Sequence, residues 1–210
     1  VKRATMETLY ILPFDHRGSF IKMFGYDERN LTPEATAALA DFKHVVYEGF
    51  LRALDLGVPK TAAAILVDEQ FGAAIHEQAR AAGIRRILTI EKSGQDEFDF
   101  QYGDRFGEHI ERLQPEFVKV LVRYNTGGDQ AMNERQAERL RTASDFCRRS
   151  GFKFLFELLV PATAQQLADV GSDPQRYERE TRWKFMREAI AQLQVTGVEP
   201  LIWKIEGLED

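Results

Sequence analysis

Three charged residues lie inside runs that are otherwise largely apolar: Lys119 in FVKVLVRYN, Glu157 in FKFLFELLVPA and Lys204 in PLIWKIEGL. An ionised carboxylate in such a run needs a partner, because burying a bare charge is costly. Two lysines with a glutamate between them can do more than pair. A lysine amine must be neutral to attack a carbonyl carbon, and a nearby cation or partial desolvation lowers its pKa toward that state. The iminium that forms draws electrons, so the bond beside the former carbonyl can break or form. In this chemistry Lys204 is the nucleophile and Lys119 the neighbouring cation. Glu157 moves protons as the imine forms and hydrolyses. Asp15, in FDHRGSF, would take the proton of the hydroxyl at the carbon released by cleavage. A purely structural Lys–Glu pair would meet the same burial requirement, and Asp15-His16-Arg17 before Gly18 also reads as a turn.

Such residues converge only if their strands are neighbours. Six segments read as buried strands: Leu9 to Phe14, Ala63 to Asp68, Arg86 to Glu91, Phe117 to Tyr124, Phe152 to Val160, and PLIWKIEGL. A helical pattern separates each from the next. Thr32-Pro33-Glu34 marks a helix start and Gly57 its stop. Later helices are expected around AAIHEQARAAG, through RFGEHIERLQ, from about Met132 to Ser150, and over TAQQLADV and YERETRWKFMREAIAQLQ. Near-continuous apolar strands alternating with helices indicate an α/β fold with a parallel sheet. The expected architecture is a (β/α)8 TIM barrel of which about six β/α units are present, with the chemistry at the carboxyl ends of the strands. A doubly wound sheet is the competing arrangement, but its phosphate fingerprint is missing after the first strand. Eight strands close a barrel, so the chain is expected to be a fragment or cropped.

Strand alternation assigns the faces. Lys119 shares one with Phe117, Leu121 and Arg123; Glu157 with Lys153 and Leu155; Lys204 with Ile202 and Glu206. Trp203 and Ile205 are left for the helix layer. Neighbouring strands lie about 5 Å apart, so two lysines on strands four and six can meet over a gap of roughly 10 Å with Glu157 between them. Glu91, Lys92, Asp68 and Glu69 end their strands and can line the mouth. His16 and Arg17 adjoin Asp15, and Arg123 and Lys92 can assist with anionic groups. His44, His76 and His109 lie in expected helices, scattered too widely for a metal site, so neither metal nor other cofactor is expected.

The 210 residues suit a single domain, 1–210, with a sizeable core. The net charge of −5, with both signs mixed along the chain, gives no nucleic-acid footprint. No apolar run approaches a membrane span. One cysteine, Cys147, cannot form an internal disulfide, which fits a reducing, cytoplasmic setting.

IEKSGQD, FVKVLVRYN, FELLVPA and IWKIEGL, in that order, resemble the class I aldolases related to tagatose-1,6-bisphosphate aldolase. They are more similar still to the aldolase-like domain behind the sugar kinase in bacterial 5-dehydro-2-deoxygluconokinases, whose start LYILPFDHRGSFIKMFG resembles. The resemblance implies a Schiff-base lysine at Lys204, with Lys119, Glu157 and Asp15 in supporting roles. It implies metal-free cleavage of a phosphorylated keto sugar to dihydroxyacetone phosphate and an aldehyde. For the inositol branch the substrate would be 2-deoxy-5-keto-gluconate 6-phosphate and the aldehyde malonate semialdehyde. An N-terminal kinase domain and a homo-oligomer are the partners expected. Phosphate-binding loops follow strands seven and eight in this family, so the cradle is expected beyond residue 210. A non-catalytic, sugar-phosphate-binding or regulatory barrel and a tagatose or fructose bisphosphate aldolase are the alternatives.

Overall fold

The computed structural model describes residues 8–207. The chain divides into two compact units, residues up to 89 with 108–117, and residues 90–107 with 118 onward. The strands follow chain order, β1-β2-β3 in the first unit and β4-β5-β6 in the second. Strands and helices alternate as the sequence pattern indicates. Among the described residues there are six strands, not the eight of a closed (β/α)8 barrel. No helix among them is long and apolar enough to cross a membrane.

In the first unit, β1 (Tyr10–Pro13), β2 (Ala63–Val67) and β3 (Arg85–Thr89) run parallel, with Leu12 opposite Ile65 and Leu66 opposite Ile87. All five residues of β2 are buried, as expected for a central strand covered on both faces. Helix α1 (Gly18–Met23) follows β1, and α2 (Pro33–Asp55) starts where the sequence indicates. There the Thr32 side chain accepts from Ala35 N, with Pro33 in the first turn. Helix α3 (Glu69–Ala81) begins several residues before the AAIHEQARAAG stretch. The physical reason is Asp68, whose side chain accepts from Phe71 N; the acid that ends β2 also caps the next helix. Gly72 allows that helix to approach closely, since a Cβ there would lie 2.3 Å from Val67 Cγ2. Phe14, Tyr47, Phe50, Ile65, Val67 and Ile75 anchor the core of this unit.

Lys43 is the unexpected member of that interior. Leu39, Lys43, Tyr47 and Phe50 form the buried stripe of α2, at helical spacing. Lys43 Nζ donates to the Phe14 carbonyl at 2.8 Å and pairs with Asp68, tying α2 to the ends of β1 and β2. Its ammonium also lies over the Phe20 and Phe71 rings. Burial pulls its pKa down, with the charge of Asp68 opposing.

Helix α4 (Phe106–Leu113) connects β3 to β4 (Phe117–Arg123). In the second unit α5 (Gln130–Ser150) starts two residues before the expected Met132, because the Asp129 side chain accepts from Met132 N. It ends at Gly151, whose φ of 76° is the left-handed conformation that closes helices. Beyond β5 (Lys153–Leu159) come α6 (Ala164–Asp169), α7 (Pro174–Arg176), a π-helical turn Tyr177–Thr181, α8 (Arg182–Val195) and β6 (Ile202–Ile205). The segment read as a polar loop after β3 is pinned by an antiparallel bridge between Glu91 and Phe100. Phe98 N also donates to Gln136 on α5.

Removing one member of a buried ion pair strands the other, so Lys43→Met is expected to cost about 3–5 kcal/mol in denaturant unfolding; a loss below about 1 kcal/mol would mean the pair is not structural. His76, wholly buried, has a pKa pushed down to about 4, chiefly by burial. The unfolded chain therefore binds a proton in the window from about 6.5 down to about 4 while the folded chain does not, so stability rises with pH across it. About 3 kcal/mol should be lost between pH 7 and 4 on this account, and His76→Gln should flatten the slope in denaturant melts at both pH values.

Candidate active site

The parallel register of β5 and β6 sets Glu157 directly opposite Lys204. One carboxylate oxygen of Glu157, Oε1, accepts from Lys204 Nζ; the other, Oε2, lies 3.3 Å from Lys119 Nζ. Lys119 Nζ in turn donates to Glu91 Oε1 at 2.9 Å. The result is a line of alternating charge, Glu91–Lys119–Glu157–Lys204, built on residues from the end of β3 through β6. Ile90 N donates to the Lys119 carbonyl, which aligns Glu91 beside β4.

Exposure separates the two lysines. The Lys119 side chain is 2% exposed, within a strand whose first four residues are all buried. That of Lys204 is 46% exposed. An incoming carbonyl compound can thus reach Lys204, while Lys119 acts as a fixed interior cation. Glu91 pairs with Lys119, and Glu157 bridges Lys119 and Lys204.

The remaining site residues from the sequence fall in several places. Glu206 lies on the Lys204 face of β6, but both its oxygens are occupied. Oε2 accepts from Val160 N at 3.0 Å and Oε1 from Arg182 Nη1 at 2.9 Å. Arg123 donates to the Gln95 carbonyl, and Lys92 is exposed in the pinned segment. In the first unit, Asp15 is half-buried just beyond β1, His16 is exposed and Arg17 is buried at the start of α1. Asp68 and Glu69, read as possible mouth residues, have structural contacts instead: Asp68 with Lys43, Glu69 with His109 and Arg112. Trp203, on the opposite face of β6, packs on Phe156.

Some contributors escaped the sequence reading. Arg182 clamps Glu206 and the Gly207 carbonyl at the end of β6. Asn125 and Gln166 exchange two amide hydrogen bonds, at 2.7 and 3.1 Å, and Asn125 also donates to the Pro161 carbonyl. This network holds the turns after β4 and β5. Asn125 in a turn and Gln166 in the first turn of α6 carry no sequence signal of pairing with each other. Lys43 did carry one, its place in the apolar stripe of α2. Among the described residues, no group of three or more His, Cys, Asp or Glu side chains is placed to hold a metal ion.

A family model described as "Uncharacterized protein conserved in bacteria (DUF2090)" matches residues 1–210. Tagatose 1,6-diphosphate aldolase 2 of Streptococcus pyogenes serotype M6 is 28% identical over 175 residues, covering 76% of this chain and 49% of that protein. The protein of the same name from serotype M1 is 27% identical over the same length and shares. The chain spans about half the length of these curated relatives. The similarity is distant and is to sugar-phosphate aldolases.

Under native conditions, reductive methylation followed by peptide mass spectrometry should modify Lys204 well before Lys119. Equal rates would show that Lys119 is not shielded.

Proposed function

We propose that this chain, a member of the bacterial DUF2090 family, carries the catalytic lysines of a Schiff-base aldolase acting on a phosphorylated keto sugar. The observation that carries this reading is a single carboxylate, Glu157, shared between a buried lysine and an accessible one. The distant similarity to tagatose diphosphate aldolases supports the same class of substrate.

Lys204 Nζ attacks the keto carbon after passing a proton to Glu157. The carbinolamine loses water as Glu157 returns that proton to the departing hydroxyl. Lys119, paired with Glu91, is the fixed cation of this scheme, beside the carboxylate that Lys204 also contacts. In the iminium, the electrons of the bond between the α and β carbons move toward nitrogen, giving an enamine and, from the β carbon, an aldehyde. The hydroxyl on the leaving carbon gives up its proton to a base, the role that the resemblance assigns to Asp15. Protonation of the enamine carbon and hydrolysis of the imine then release dihydroxyacetone phosphate and free Lys204. The finer reading of the substrate is 2-deoxy-5-keto-gluconate 6-phosphate, with malonate semialdehyde released.

Incubation with dihydroxyacetone phosphate and borohydride tests the chemistry apart from the aldehyde partner. A stable adduct on Lys204 is expected, lost in Lys204→Met and retained in Asp15→Asn, which should lose cleavage of the keto sugar. An adduct on Lys119 would exchange the lysines' roles. Absence of any adduct would overturn the imine mechanism. Release of malonate semialdehyde, as against glyceraldehyde phosphate from tagatose bisphosphate, decides the substrate.

A further inference from the structure

A second constellation, in the first unit, shares no residue with the lysine–glutamate line. His76, Glu77 and Arg80 from α3, Arg86 from β3, and Arg112 and Leu113 from the end of α4 line a cavity of about 80 Å³. Three arginines line it with one acidic residue, Glu77. Arg112 has an acidic partner in Glu69. Arg86, itself buried, donates to two neutral acceptors, the Leu113 and Gln114 carbonyls, at 2.6 and 2.5 Å. Those carbonyls leave its full charge uncancelled. Burial first, and then the charge of Arg80, pull the Arg86 pKa below its usual value. Like charges gathered around a small polar cavity call for an anion.

His76 identifies the kind of anion. Its Nε2 lies 3.1 Å from the Val67 carbonyl, which can only accept, so Nε2 carries the ring proton. With the imidazole neutral, as its buried setting dictates, Nδ1 holds a bare lone pair. That atom is buried and has no hydrogen-bond partner among the described residues. A lone pair at the edge of an arginine-lined cavity needs a ligand with both negative oxygens and one O–H. Monohydrogen phosphate has both. Sulfate at neutral pH lacks the O–H, and so does the dianion of a phosphomonoester. A cavity of that volume has room for one tetrahedral oxyanion.

We infer that this cavity is a binding site for inorganic phosphate, with Arg80, Arg86 and Arg112 supplying charge and His76 Nδ1 accepting from the protonated oxygen. The site does not depend on the aldolase reading, and its test does not use that activity. The His76 ring nitrogens, observed by 15N NMR at pH 7.5, would be titrated with inorganic phosphate, sulfate and methyl phosphate at matched ionic strength. A saturable shift of Nδ1 at millimolar phosphate is expected, with sulfate and methyl phosphate weaker by about tenfold or more, the worth of one hydrogen bond to a charged group. Arg80→Ala, at an exposed position, should keep the fold by circular dichroism and weaken phosphate binding by about tenfold. Absence of a saturable shift would overturn the proposal, leaving water as the occupant. Equal binding of sulfate would remove the role given to Nδ1, and an unchanged affinity in Arg80→Ala would remove that of the arginines.

Discussion

The Glu157 carboxylate is the constraint around which the second unit is organised. Its strand, FKFLFELL, is apolar on both sides of it, so the charge persists only with cations at hand. Both oxygens are used, one for Lys204 on β6 and one for Lys119 on β4. Lys119 then needs Glu91, because a lysine buried that deeply and facing one shared carboxylate remains under-neutralised. The segment that carries Glu91, and β4, β5 and β6, are therefore coupled through four side chains. Displacing any one strand by a residue would place its charge on the helix-covered face.

The first unit uses the same pair of charge types to a different end. Lys43 and Asp68 are both almost wholly buried, with the Phe14 carbonyl and two aromatic rings completing the surroundings of the ammonium. No side of that pair is open, and it serves to join α2 to the ends of β1 and β2. The line in the second unit is closed at Glu91 and open at Lys204. Exposure rises from Lys119 through Glu157 to Lys204, so one end of the line is accessible where the Lys43–Asp68 pair is not.

Much of the local structure was legible. Strand alternation placed Lys119, Glu157 and Lys204 on faces that meet, and Thr32-Pro33 marked the start of α2. The starts of α3 and α5 were misplaced because Asp68 and Asp129 cap helices from positions that also read as strand end and turn. Lys43 stood in an apolar helical stripe and was passed over. Glu91 read as a strand-end acid beside Lys92, and nothing in the local pattern chose between them. The alternating pattern led to about six β/α units, and six strands are described.

Residue types and their period of two along each strand are local properties, so the sequence by itself determined which charged side chains share a face. Which oxygen of Glu157 meets which lysine, that Glu91 rather than Lys92 completes the line, and that Arg182 holds Glu206 away from it were decided only in the tertiary structure. Those outcomes depend on inter-strand register and on the depth of each side chain. Both are set by packing between segments far apart in the chain, and neither leaves a trace in a local pattern.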